Sequence, residues 1–319
     1  MLSLPDRWLW DFWIADDDAA YHLFFLQAPR TGDPDLRHWN TSVGHAVSTD
    51  LTNWKVVADA LSPSTEPAFD DLATWTGSVV RGDDGTWYLF YTGLSRADNA
   101  RVQRVGLATS ADLLTWRKHG PDALVSADHR WYHKLDGSGE AEAWRDPWLV
   151  RDPDGDGWHM LVTATARDGD VGQRGVLGHA WSPDLLTWRV LPPLSRTDSG
   201  MSQLEVPQLA VVGGNPVLLF NCLGPQLSGA RREAGEPGGV WVLRPDALLG
   251  PYDVTAATRL TDESLYVGKL VQRRDGEWVL LAFVNQDVDG AFVGSISDPM
   301  PVVLPIGTGP LMSARDIPS

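Results

Sequence analysis

Three stretches read almost as copies of one another: VGHAVSTDLTNW (43–54), VGLATSADLLTW (105–116) and LGHAWSPDLLTW (177–188). Each is a short run of β-forming residues, then a turn closed by an aspartate, then a Trp. Two weaker copies follow, GVWVLRPDALLGPY (239–252) and FVGSISDPMPVV (292–303). The five aspartates, Asp50, Asp112, Asp184, Asp246 and Asp298, are spaced by 62, 72, 62 and 52 residues. Tandem units of this length, built from short strands and turns, imply radial repetition: an all-β fold, a five-bladed β-propeller. Upstream of each copy, a Gly/Asp-rich turn separates two apolar runs: ADDDAA (15–20), RGDDGT (81–86), DPDGDG (152–157), VGGN (212–215) and RRDGE (273–277). Such turns between strand-like runs signal hairpins, because Gly takes positive φ without steric cost. The quoted repeat is then the third strand, and the run after its Trp the fourth, giving four antiparallel strands per blade. No long amphipathic helix is legible. Residues 195–202 and 227–238 read as rim loops, and no linker divides the chain. Residues 1–319 are therefore expected to form a single propeller domain.

Bulk composition limits what the axis of such a wheel can hold. The 319-residue chain carries a net charge of −16. Nucleic acid and anionic membrane surfaces need basic patches, so neither is an expected partner. Polyanionic sugars are disfavoured on the same ground, which leaves a neutral sugar or oligosaccharide as the expected ligand. The single cysteine, Cys222, forms no internal disulfide and reads as a small buried hydrophobe. The start, MLSLPDRWLWDFW, lacks a charged segment followed by an apolar core. No signal peptide is read there, and the expected location is the cytoplasm. No phosphate loop, dinucleotide-binding glycine pattern or zinc spacing is present, so neither cofactor nor metal is expected. DPDGDG (152–157) begins like a calcium loop but has Thr163 where the closing Glu belongs, and it falls at a hairpin position.

Chemistry belongs on the innermost strands, LWDFWIA (9–15), WTGSVV (75–80), WRDPWLV (144–150), LEVPQLA (204–210) and YVGKLVQ (266–272). Three carry a carboxylate: Asp11, Asp146 and Glu205. Counting from each to the second run gives ten residues from Asp11 to Tyr21 and from Ser78 to Tyr88. It gives twelve from Asp146 to Trp158 and from Glu205 to Val217. Asp11, Ser78, Asp146 and Glu205 are thus expected at nearly the same level of four blades, facing one funnel. A lone acid at a strand end is ordinarily solvated or caps a turn. Three at one register are different, because buried like charges are costly without a purpose. Neighbouring Trp10, Trp144 and Leu204 supply an apolar setting that can lift one carboxyl pKa into the range of a general acid.

These inner-strand motifs resemble those of the clan holding glycoside hydrolase families 32 and 68, the invertases, fructanases and levansucrases. Arg145-Asp146-Pro147 is similar to the family's RDP motif, and Glu205-Val206-Pro207 to its Glu-x-Pro motif. Trp75-Thr76-Gly77-Ser78 resembles the Phe/Trp-Ser-Gly-Ser motif. YHLFFLQ (21–27), Gly44-His45 and Asp50-Leu51 resemble the YHLFYQ and WGH stretches of family 32. Trp10-Asp11-Phe12-Trp13 departs from the Asn-Asp-Pro-Asn-Gly signature of family 32 and is closer to family 68. The resemblance stops where family 32 enzymes begin a C-terminal β-sandwich, so none is expected here. It implies a retaining β-fructofuranosidase acting on sucrose, fructo-oligosaccharides or fructans, with fructosyl transfer as the same chemistry on another acceptor. The implied roles are Asp11 as nucleophile, Glu205 as general acid/base, and Asp146 as stabiliser of the transition state. A retaining glycosidase needs one ionised carboxylate to attack the anomeric carbon and one protonated carboxyl to release the leaving group. Trp10, Gln27, Trp39, Trp75, Ser78, Arg145 and Tyr266 are the candidate sugar-binding residues. Two alternatives stand beside this reading: an inverting pentosidase resembling family 43, in which Asp11 would activate water, and a non-catalytic sugar-binding propeller.

Overall fold

In the computed structural model, which describes residues 1–302 except 136 and 138, twenty strands form five four-stranded sheets. Blade 1 comprises β1 (Arg7–Asp16), β2 (Tyr21–Pro29), β3 (Ser42–Ser48) and β4 (Lys55–Val56). Blade 2 comprises β5 (Ala73–Arg81), β6 (Trp87–Leu94), β7 (Arg104–Ser110) and β8 (Arg117–Lys118). Blade 3 holds β9 (Trp144–Arg151), β10 (Trp158–Thr165), β11 (Gly175–Ser182) and β12 (Arg189–Leu191). Blade 4 holds β13 (Glu205–Val212), β14 (Asn215–Cys222), β15 (Gly239–Leu243) and β16 (Thr258–Arg259). Blade 5 holds β17 (Leu265–Gln272), β18 (Trp278–Gln286), β19 (Phe292–Ile296) and β20 (Met300–Pro301). All pairings within the sheets are antiparallel, and the first strands touch in a closed cycle, β1–β5–β9–β13–β17–β1. The five-bladed propeller and its inner strands are as the repeat implied. The part of the single-domain expectation that concerns residues 303–319 lies outside the described residues.

The repeat earns its form from one turn. Asp50, Asp112 and Asp184 each accept two backbone N–H bonds, from Thr52 and Asn53, Leu114 and Thr115, and Leu186 and Thr187. The intervening Leu51, Leu113 and Leu185 are buried with φ of 65°, 61° and 66°. A left-handed leucine is disfavoured, and the aspartate's hydrogen bonds together with burial of the side chain hold it there. The Trp that follows locks neighbouring blades: Trp116 packs edge-on against Phe24, and Trp188 against Phe90. Blade 5 departs from the pattern. There β19 and β20 share β18 as partner, and Leu2 pairs with Ile296 through two backbone bonds, taking the outer edge. Asp298 closes no such turn with its neighbours but pairs with the amino-terminal ammonium.

Among the described residues the only α-helix is the single turn Gly229–Glu233, within the stretch read as a rim loop. Among the described residues no helix is long and apolar enough to cross a membrane. DPDGDG forms the β9–β10 turn, with Asp152 accepting from the Trp181 indole at 3.1 Å.

Each inner strand carries a bulge that leaves one more unpaired residue on it than on its partner: at Trp10/Phe12, Trp75/Gly77, opposite Leu161/Thr163, at Glu205/Gln208 and at Tyr266/Lys269. Bulges turn side chains out of the pleat and recur at functional sites. In blades 3, 4 and 5 the bulge contains a left-handed residue that is not glycine: Asp146 (φ 58°), Val206 (φ 49°) and Val267 (φ 50°). Such a conformation costs about 1–3 kcal/mol and persists only where the surroundings hold it.

Candidate active site

The bulges correct the register inferred from residue counting. The last paired residue before each bulge is Trp10, Trp75, Arg145, Glu205 and Tyr266 in turn. The next residue, inside the bulge, is Asp11, Thr76, Asp146, Val206 and Val267. Asp11 and Asp146 are therefore equivalent, Glu205 stands one position earlier, and the blade 2 equivalent of Asp11 is Thr76 in place of Ser78. The count went astray in blade 2 because β6 begins at Trp87, paired with Arg81, and the turn before it is one residue longer than the one between Asp16 and Tyr21. All three carboxylates nevertheless converge on one cavity of about 720 Å³, at the end of the axis where the inner strands begin. Its wall includes Trp10, Trp39, Trp75, Arg145 and Tyr266, as expected from the sequence. Ser78 and Gln27 are buried but do not line it. Strand alternation explains Gln27: its neighbour Leu26 faces the cavity, and Gln27 instead donates to Ser42 Oγ at 3.3 Å.

Asp11 sits on an apolar wall. Its carboxylate accepts from Thr76 Oγ1 at 2.5 Å. Its pKa is pushed up to about 7, first by burial and then by the negative Asp146, with Glu205 adding to the rise. The Thr76 hydrogen bond and the Arg37 guanidinium oppose it. Gly77 is required beside Thr76, because a Cβ there would fall 2.1 Å from the Phe90 carbonyl oxygen. On the same cavity wall His38 lies edge-on between Trp10 and Trp75, 5.8 Å from each, and the Trp75 indole donates to the His38 carbonyl at 2.9 Å. Burial drives His38 down to about 3, so it is a neutral ring at working pH.

Glu205 sits on an ionic wall. Its Oε1 accepts from Arg145 Nη2 at 2.8 Å and Gln226 Nε2 at 3.0 Å, and its Oε2 from the Tyr266 hydroxyl at 2.6 Å. Arg145 also donates to Gln103 (3.1 Å) and Gln203 (2.8 Å), so both terminal nitrogens of its planar fork are engaged. Asp146 lies between the walls, buried, with Arg145 Nε at 3.4 Å and the Thr163 hydroxyl at 2.7 Å. Burial raises its pKa, and Arg145 and Thr163 oppose the rise. Further along the inner strands the Lys269 ammonium is buried 3.4 Å from the carbonyls of Val206 and Pro207. Burial lowers it to about 7, while Asp146 and Asp11 favour its charged form.

Sequence reading did not single out Thr76, Arg37, His38, Gln103, Gln203 or Gln226, all of which line the cavity. Thr76 stood inside a quoted motif and was missed by the register error. The others come from loops between strands, where no spacing rule points inward.

Fold and cavity together define a class: a five-bladed propeller whose axis closes on an acidic, tryptophan-walled pocket. The chain belongs to glycosyl hydrolases family 32, whose N-terminal domain model matches residues 13–289. It is 31% identical over 236 residues to sucrose-6-phosphate hydrolase of Bacillus subtilis (strain 168), covering 72% of this chain and 44% of that protein. It is 32% identical over 202 residues to a beta-fructofuranosidase, insoluble isoenzyme 2, of Oryza sativa subsp. indica, covering 59% of this chain and 30% of that protein. The chain thus spans less than half the length of these relatives. A solved structure, inulosucrase from Halalkalicoccus jeotgali bound to kestose, superimposes with a TM-score of 0.76 at 22% identity. That match covers 100% of this chain and 95% of the other, and it shows the shared fold. Asp11 lies just before the stretch matched by the family model.

Proposed function

We propose that this protein is a retaining glycoside hydrolase of the β-fructofuranosidase type, acting on sucrose or on fructo-oligosaccharides and fructans. The observation that carries the reading is the meeting of Asp11, Asp146 and Glu205 in one cavity of a family 32 chain. Family membership supports the fructoside reading over the pentosidase alternative. In the proposed reaction Asp11 attacks the anomeric carbon and forms a fructosyl ester, while Glu205 gives its proton to the leaving oxygen. Glu205, as a base, then activates the acceptor that releases the sugar. Asp146 accepts hydrogen bonds from ring hydroxyls as positive charge develops. Trp39, half-exposed at the rim, and Trp10 and Trp75 deeper in, offer faces to the C–H side of a sugar. Water as acceptor gives hydrolysis and a second sugar gives transfer.

The raised Asp11 requires a step the sequence did not suggest. Asp11 has one hydroxyl donor and two carboxylate neighbours, and its carboxyl is pushed up to about 7. Attack needs the Asp11 proton gone, and release of the leaving group needs a proton on Glu205. Substrate hydroxyls that donate to Asp11 favour its ionised form. A product screen with sucrose, inulin, levan and aryl pentosides, followed by NMR of the first-formed anomer, tests the whole reading. Fructose released with retention is expected; inversion eliminates the covalent route, and no turnover on any fructoside leaves the sugar-binding propeller.

A further inference from the structure

Directly across from the pre-bulge residue, on the second strand of blades 2, 3 and 4, stand Thr92 (opposite Trp75), Thr163 (opposite Arg145) and Asn221 (opposite Glu205). All three are polar and fully buried. Each reaches forward to the bulge of the next blade. Thr92 Oγ1 accepts from Asp146 N at 2.9 Å and donates to the Thr76 carbonyl at 3.0 Å. Thr163 Oγ1 accepts from Val206 N at 3.2 Å and lies 2.7 Å from Asp146 Oδ2 and 3.1 Å from the Leu204 carbonyl. A hydroxyl has one proton, and the shorter bond to a carboxylate takes it. Asn221 Oδ1 accepts from Gly268 N at 3.3 Å, and its Nδ2 donates to the Glu205 carbonyl at 3.0 Å.

The blades that receive these contacts are the ones with a left-handed, non-glycine bulge residue: Asp146, Val206 and Val267. The bulges of blades 1 and 2 have none. The equivalent second-strand positions behind them are Phe283, opposite Tyr266, and Leu26, opposite Trp10. Val206 is the most tightly held. Its N–H faces Thr163 and Asp146 Oδ2 (3.3 Å), and its carbonyl faces Asn221 Nδ2 (3.5 Å) and Lys269 Nζ (3.4 Å).

We infer that Thr92, Thr163 and Asn221 are positioning residues: each pins the strained bulge of the following blade and so aims Asp146, Glu205 and Tyr266 into the cavity. Thr163 is central, because one hydroxyl orients the Asp146 carboxylate and the backbone beside Glu205 together. For its effect on turnover the inference rests on the fructosidase reading; its geometry does not. Thr163→Val keeps the side-chain shape and removes the hydroxyl, and Thr163→Ser restores it. Crystal structures of the two variants are expected to show Asp146 rotated or Val206 out of the left-handed region in Thr163→Val, and both in place in Thr163→Ser. On a fructoside that wild type cleaves, kcat is expected to fall about ten- to a hundredfold in Thr163→Val with KM within about threefold, and to recover in Thr163→Ser. Unchanged geometry, or wild-type kcat, in Thr163→Val overturns the inference. Should Thr163→Val fail to fold, Thr92→Val and Thr92→Ser carry the same pair of readouts at Asp146. A wild type inert on every fructoside sinks the functional reading alone, because the crystal structures still decide the clamp.

Discussion

Blades 1 and 2 and blades 3 to 5 build opposite walls of one pocket from the same strand. On the first side the pre-bulge residues are Trp10 and Trp75, and the bulge residues Asp11 and Thr76 take ordinary φ. On the second side they are Arg145, Glu205 and Tyr266, with left-handed residues behind them. The difference shows how one repeat yields an apolar face, suited to the proposed sugar ring, and an ionic face, suited to the proposed proton transfer. It also separates the two acids. Asp11, among aromatic rings and other carboxylates, is pushed up to about 7, whereas Glu205 is gripped by three donors.

The largest expected effect breaks this contrast outright. Asp11→Asn is expected to lower kcat on the order of 10⁴-fold on every fructoside. Glu205→Gln is expected to lose about 10²–10⁴-fold on sucrose, yet far less on a substrate with a good leaving group such as an aryl fructoside. The reverse pattern in steady-state kinetics would exchange the two roles. A smaller effect is expected from Tyr266→Phe, which removes one donor from the Glu205 carboxylate. Loss of that bond frees the carboxylate to turn from its place, so kcat should fall about tenfold with KM little changed. An unchanged kcat would mean the hydroxyl contact does not hold Glu205 in position.

On the apolar wall, kcat/KM should lose activity as pH falls through about 7, where Asp11 takes its proton. Arg37 favours the ionised Asp11, so Arg37→Gln should carry that acid limb to higher pH. An unmoved limb would remove Arg37 from the electrostatics of the site. The smallest effect concerns stability. A carboxyl raised in the fold contributes most when protonated, and that contribution is lost as pH rises from the ordinary carboxylate range through about 7. Asp11→Asn should therefore raise Tm by a few degrees at pH 8. The gain should vanish near pH 4. Equal Tm for variant and wild type at both pH values would contradict the burial argument.

Much of the molecule was legible beforehand because its signals are local. The Asp-x-x turn needs an acceptor for two N–H groups, and three near-identical copies gave away the period. The inner strands, the convergence of Asp11, Asp146 and Glu205, and the engagement of Arg145 and Tyr266 followed from that period and from quoted motifs. The bulges were not legible. Unequal hairpin turns were equally hidden, so that Thr76 stands in the place given to Ser78, and strand alternation leaves Gln27 behind the wall.

What the chain's order of residues determined alone is the number of blades, the strand on which each acid rides, and the family. Periodicity and turn chemistry act over a few residues, and these follow from them. Why the Asp11 carboxyl is pushed up, which hydroxyl clamps which bulge, and how Gln103, Gln203 and Gln226 come to surround one ion pair were decided by closure of the ring. Burial and Coulomb interaction act between groups some sixty residues apart, and only the closed wheel sets those separations.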